Sequence, residues 1–210
     1  MKQRTWMAVA GVLALSVVGC GGPGQTVPMA VTAAMVPPPA KSASPLRVAV
    51  VQFEDVRSEK TAIGRRQHYV ETTVDKLVPD KGTASDQVTD FVADYLKLAG
   101  YQVTRVPSGG TAAPGSADVV LTGQIENYWG EAVARFWSTE LKAQNRLVIK
   151  VNNASDNSTV RTTVGGEGET KVFCFCPSDM EKLQSEALGE SLARFLGDVV
   201  VVNRAFKPKS

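Results

Sequence analysis

Any chemistry in this 210-residue chain has to come from few residues. Cys174 and Cys176 stand in Phe-Cys-Phe-Cys-Pro, with one residue between them. Two thiols so placed can form a disulfide, stay free, or take part in metal or redox chemistry, and the spacing leaves all three open. In an extended strand their Cα atoms would lie about 6.6 Å apart, at about 3.3 Å per residue. That is the upper edge of disulfide geometry, and a bend before Pro177 would help. The loop so closed is tiny, so the bond would add little stability. A zinc site wants four ligands, and the one histidine, His68, lies far away in sequence. Neither a metal nor a cofactor is therefore expected. A single histidine also makes triad chemistry a poor fit. Gly189-Glu190-Ser191-Leu192-Ala193 approaches a nucleophile elbow but lacks the final glycine, and it falls inside a helical stripe rather than at a strand-to-helix turn. No Walker A loop, H-E-x-x-H or S-x-x-K occurs. The expectation is a protein that is not an enzyme.

Two constellations could bind rather than react. Asp55, Arg57 and Glu59 form a charged loop after the first strong strand signal, a place where loops often carry function. The alternative is that Asp55 caps or pairs with Arg57 locally, and that reading is the favoured one. Tyr128, Trp129, Phe136 and Trp137 crowd a short stretch between two strands. Exposed, they would make a binding patch. Buried, they would fill the core, and burial is the expectation.

A third cysteine has a different setting. Lys2 and Arg4 precede an uncharged, mostly apolar run from residue 6 to residue 18. Spanning a bilayer takes about 20 helical residues, so this run has the length of a signal-peptide core instead. It ends Val17-Val18-Gly19-Cys20, which resembles the bacterial lipobox. Small residues admit the peptidase, and the thiol takes the diacylglycerol. At about 0.8 kcal/mol per buried CH₂, several acyl chains on one residue anchor a protein durably. Residues 1–19 are thus read as a lipoprotein signal peptide and Cys20 as the lipidated residue. Gly21 at the next position, in place of Asp, points to the outer membrane by the sorting rule of enteric bacteria.

Of 23 basic residues, Lys2 and Arg4 fall in this leader, leaving 21 against 21 acidic ones. A near-neutral mature chain makes nucleic acid a poor partner, since that affinity needs clustered Lys and Arg. Residues 20–46 are rich in Gly, Pro, Ala and Ser, with Pro37-Pro38-Pro39 at the centre. They read as a disordered tether, reaching roughly 25–30 Å if flexible. Residues 47–210 suit one domain.

The elements that must position these residues follow from periodicity. Residues 47–53 (RVAVVQF) read as a buried strand. Residues 61–79 are ambiguous. Thr83 or Ser85 can cap a helix through Ala99, with Val88, Phe91, Val92, Tyr95, Leu96 and Ala99 on one face and Gly100 as its stop. Residues 101–106 and 117–128 read as strands. Residues 141–151 alternate apolar and polar, as a half-buried antiparallel strand does. Residues 159–164 and 169–175 add strand signals on either side of a Gly165-Gly166 break. Ser178 and Glu181 have capping-box spacing ahead of the apolar stripe Leu183, Ala187, Leu188, Leu192, Phe195, Leu196 and Val199. The role of Val200-Val201-Val202 is open. The whole reads as an α+β sandwich, β-α-β-β-β-β-α, with two helices covering one face of a mixed or antiparallel sheet.

Two stretches carry a family resemblance. One is Val48 through Ser58 (VAVVQFEDVRS) followed by Ile63-Gly64. The other is Ala117 through Ile125 (ADVVLTGQI), after a helix ending Leu98-Ala99-Gly100-Tyr101. Together they resemble the YajG-type lipoproteins of Gram-negative envelopes. More loosely they resemble the CsgG/PelC secretion lipoproteins, the auxiliary lipoproteins of ABC transporters and the N-terminal domain of TolB. The resemblance implies a β-α-β-β-β-α plan, a membrane contact through the N-terminal lipid and an envelope protein as partner. It implies a non-catalytic accessory role or, alternatively, a subunit of a secretion or lipid-transport complex. Oligomeric state is left open.

Overall fold

The structure is a computed structural model, and it describes residues 24–43, 45–70, 73–110, 113 and 115–209. The signal peptide and Cys20 lie outside the described residues. Nine strands form one mixed sheet: β1 (Thr26–Met29), β2 (Arg47–Val51), β3 (Glu54–Asp55), β4 (Gly64–Gln67), β5 (Val74–Pro79), β6 (Gln102–Val106), β7 (Val119–Ala134), β8 (Thr139–Asn153) and β9 (Thr159–Val172). Helix α1 (Ala84–Leu98) and helix α2 (Pro177–Asp198) cover one face of it. The hairpin β10 (Val199–Val202) and β11 (Ala205–Pro208) closes the chain. The α+β class, with two helices on one face, is the one read from the sequence.

The sheet is organised about β7. Along one edge β7 pairs with β8 over its whole length, and β8 pairs likewise with β9. Along its other edge lie three short parallel strands, end to end: β2 opposite residues 119–121, β3 opposite 124–125 and β4 opposite 130–133. Beyond that edge the sheet forks, with β6 beside β2 at one end and β5 then β1 beside β4 at the other.

Helix α1 forms as its residues dictate. Thr83 accepts from the Asp86 N–H and Asp86 accepts back from Thr83, a complete capping box, and Gly100 takes the left-handed φ of +90° that ends it. Its buried stripe of Val88, Phe91, Val92, Tyr95 and Leu96 faces Val48, Val50 and Leu121 in one core. Helix α2 starts differently from the expectation. Cys176 occupies its cap position with no side-chain cap, Pro177 opens it, and Ser178 is already helical. Glu181 is drawn away to accept from the Ala30 N–H at 2.8 Å.

That last bond belongs to the main correction. The segment read as a tether is part of the domain from Gly24 onward. Thr26–Met29 pairs in parallel with β5, and a 3₁₀ turn follows at Ala33–Met35. Met29, Val31, Ala33 and Val36 are buried in the core. The Gln87 amide donates to the Met29 carbonyl at 2.6 Å, and Ser185 Oγ accepts from the Thr32 N–H. The Gly/Pro/Ala average concealed a spaced apolar series that α2 buries.

Two further expectations are refined. The Gly165-Gly166 pair does not break a strand, since β9 runs through it. A Cβ on Gly166 would stand 1.9 Å from the Ala187 carbonyl oxygen, so this glycine admits the backbone of α2 onto the sheet. The valines at 200–202 form β10, whose two-residue turn puts Asn203 and Arg204 at positive φ.

Candidate functional site

The charged loop resolves into an internal staple. Arg57 is buried. Its Nε and Nη2 donate to the two carboxylate oxygens of Asp55 at 2.9 and 2.8 Å. Its Nη1 donates to the carbonyl oxygens of Ala62 and Tyr128 at 3.1 and 2.9 Å. Burial pushes the Asp55 carboxyl upward, but the hydrogen bonds and charge of Arg57 outweigh it and leave it below its ordinary value. With these donors and acceptors turned inward, Asp55 and Arg57 are not a surface binding patch. The local pairing read from the sequence is the arrangement found.

The staple sits beside a register shift in β7, between Ile125 and Asn127. One extra residue there swaps the faces of everything after it. Ile125 and Tyr128 therefore both point toward the helices, and Tyr128 hydrogen-bonds Gln87 of α1 through its hydroxyl. Trp129 consequently turns to the opposite face of the sheet, half-buried. There it borders a groove of about 460 Å³ with Glu131, Lys142, Gln144, Glu167 and Glu169. The flanking row alternates in charge across four strands: Arg65 pairs with Glu131 at 2.5 Å and Lys142 with Glu169 at 3.3 Å.

Phe136 and Trp137 overturn the expectation of burial. They lie on the four-residue turn between β7 and β8 and are 67% and 70% exposed, their rings 4.7 Å apart. The ring of Tyr69, just past β4, lies 6.0 Å from Phe136. Val70 and Phe173 are more exposed still, at 84% and 77%. Strand register brings these together. Gln67 stands opposite Val133 and Thr139 opposite Val172, so β4, the β7–β8 turn and the end of β9 share one pole of the sheet. Tyr69 and Phe173 were not singled out from the sequence, because nothing local links them to residue 136.

Cys174 and Cys176 lie at the same pole, between β9 and α2, both exposed and not joined by a disulfide. Burial and the neighbouring Cys174 push the Cys176 thiol upward, the direction opposite to that of a reactive thiolate. Ser191, the serine of the near-elbow, is buried inside α2 and bonds to Asn145 and the Ala187 carbonyl. Among the described residues no cluster of His, Cys, Asp and Glu could hold a metal ion. Among them, too, no helix is long and apolar enough to cross a membrane.

Several solved structures resemble this chain in fold. Protein XCC0632 from Xanthomonas campestris, of family DUF330, is 13% identical with a TM-score of 0.49, over 83% of this chain and 91% of that one. The PelC dodecamer from Paraburkholderia phytofirmans is 18% identical with a TM-score of 0.44, over 75% and 92%. The hypothetical protein CT253 from Chlamydia trachomatis is 11% identical with a TM-score of 0.46, over 73% and 97%. No family model and no curated protein matches the sequence. PelC is among the proteins the sequence resemblance named, while the YajG likeness rests on the two sequence stretches alone.

Proposed function

We propose that this is a lipoprotein of a bacterial envelope, held by lipid on Cys20, that works by binding another envelope protein and not by catalysis. The observation that carries the reading is the helix-free face of the long strands β7, β8 and β9. It combines a half-buried tryptophan, a groove and a row of alternating charges, which is the mixture of anchor and polar register that protein recognition uses. The groups that elsewhere would invite a chemical reading are committed to the fold: Arg57 to Asp55 and two carbonyls, Ser191 to Asn145.

Photocrosslinking in intact envelopes tests it, with the crosslinker placed at Gln144. A discrete adduct is expected, reduced at least about tenfold by Trp129→Ala, the loss of a central aromatic anchor being worth about 2 kcal/mol. No adduct from that face, or one indifferent to Trp129, would remove the proposal.

A further inference from the structure

The aromatic pole also holds Gly24, the first described residue of the domain. The N–H groups of Gly24 and Gln25 both donate to Asp75 Oδ1, at 2.9 and 3.0 Å. Asp75 is buried next to the start of β5, and its other oxygen meets His68 Nε2 at 2.8 Å. β1 runs parallel to β5 from this point, with Thr26 opposite Lys76. Gly24 is thus fixed at the same pole as Tyr69, Val70, Phe136, Trp137 and Phe173. Three residues lie between it and Cys20, a reach of at most about 14 Å over four steps of 3.3–3.6 Å each.

We infer that this pole is a membrane-docking surface, with Tyr69, Val70, Phe136, Trp137 and Phe173 seated in the interfacial layer of the leaflet that holds the lipid on Cys20. The inference rests on the lipid anchor of the proposed function and adds a second, non-covalent contact to it. Its occupant is a bilayer because the chain leaves the domain at this pole, toward its anchor, with too little slack to turn the pole away.

The side chains suit that position. Tyr and Trp favour the boundary between headgroups and acyl chains, and aliphatic and phenyl groups favour the layer below. They stand on separate loop tips that end together, so they can enter side by side without burying a strand edge. The cations nearby each have a carboxylate partner, two of them sharing one. Arg66 faces Asp75, and both Arg135 and Lys171 face Glu140. The contact therefore draws chiefly on apolar burial.

Docking would also set orientation. β7 would rise from the bilayer, and Trp129, five residues before the strand's end at Ala134, would stand about 17 Å up the strand at about 3.3 Å per residue. The groove would then face sideways into the periplasmic space at a fixed height.

The test uses mature protein extracted from membranes and reconstituted in phosphatidylcholine vesicles carrying brominated acyl chains, which quench tryptophan at the interface. Trp137→Phe and Trp129→Phe separate the two emitters. Quenching that is lost in Trp137→Phe and kept in Trp129→Phe supports the inference. Quenching equal in wild type and Trp137→Phe overturns it, as does Trp137 emission unaffected by bromine because a second copy or a protein covers it. The mass of the N-terminal peptide reads the lipid on Cys20 separately. Lipid present with Trp137 unquenched sinks docking and spares the anchor; lipid absent with Trp137 quenched does the reverse.

Discussion

The guanidinium of Arg57 closes on the carboxylate of Asp55 through two parallel hydrogen bonds of 2.9 and 2.8 Å. Its remaining nitrogen bridges the carbonyls of Ala62 and Tyr128, which belong to the approach to β4 and to the shifted stretch of β7. One side chain thus ties three backbone segments where β7 changes face. Removing one partner of a buried pair strands the other without water, at about 3–5 kcal/mol. Arg57→Ala should lower the unfolding free energy by that amount in urea titrations. Arg57→Lys should recover less than half of the loss, since an ammonium cannot form the fork. A loss under 1 kcal/mol would show that the staple is not structural.

Asp118 gives the domain an acid-sensitive joint. It accepts from Arg47 and from Arg204 of the terminal hairpin, each at 2.8 Å. The hydrogen bonds from Arg47 come first among the causes that hold its carboxyl far below the ordinary range, against the opposing effect of burial. A depressed folded value stabilises the fold above the unfolded value near 3.9 and is lost as pH falls through the folded one. Asp118→Asn should therefore be less stable than wild type at pH 7 by about 1–3 kcal/mol. The gap should narrow steadily below about pH 4. A gap independent of pH, measured by denaturant unfolding, would show that the carboxylate charge is irrelevant.

The free edge of β9 is guarded by α2. Glu190 accepts from the Glu167 N–H at 3.3 Å, and Arg194 donates to the Gly165 carbonyl at 2.8 Å, while the two side chains pair with each other. Exposed backbone on a long edge strand invites pairing with another chain. Replacing both with Ala should cost under about 1 kcal/mol of stability, since the pair is exposed. It should also produce concentration-dependent association in analytical ultracentrifugation. Unchanged sedimentation would show that the edge needs no guard.

What could be read in advance was what is local. The stripe and caps of α1 lie within a few residues, and β8 alternates because its two faces meet different media. The pairing of Asp55 with Arg57 is two residues long and was legible for that reason. β1, β4 and β5 carry weak local signals, Arg65-Arg66 among them, and become strands only because β7 and one another supply partners. The faces of Tyr128 and Trp129 depended on a single extra residue in β7, which no periodicity announces. The aromatic pole needed the register of several strands before Tyr69 and Phe136 could be neighbours.

The placement of β2, β3 and β4 in a row along one edge of β7 bears on the order of assembly. Parallel neighbours from distant parts of a chain form slowly, because loop closure costs entropy before pairing repays it. Here β2 with β6, and β1 with β5 and β4, can pair among themselves, but these two groups have no common template until residues 119–134 exist, whereas β7, β8 and β9 can zip from adjacent turns. During synthesis, the two groups must wait, unjoined, for the strand that will organise them into one sheet. The moment at which the separate strand groups become a single sheet is therefore set by the emergence of β7.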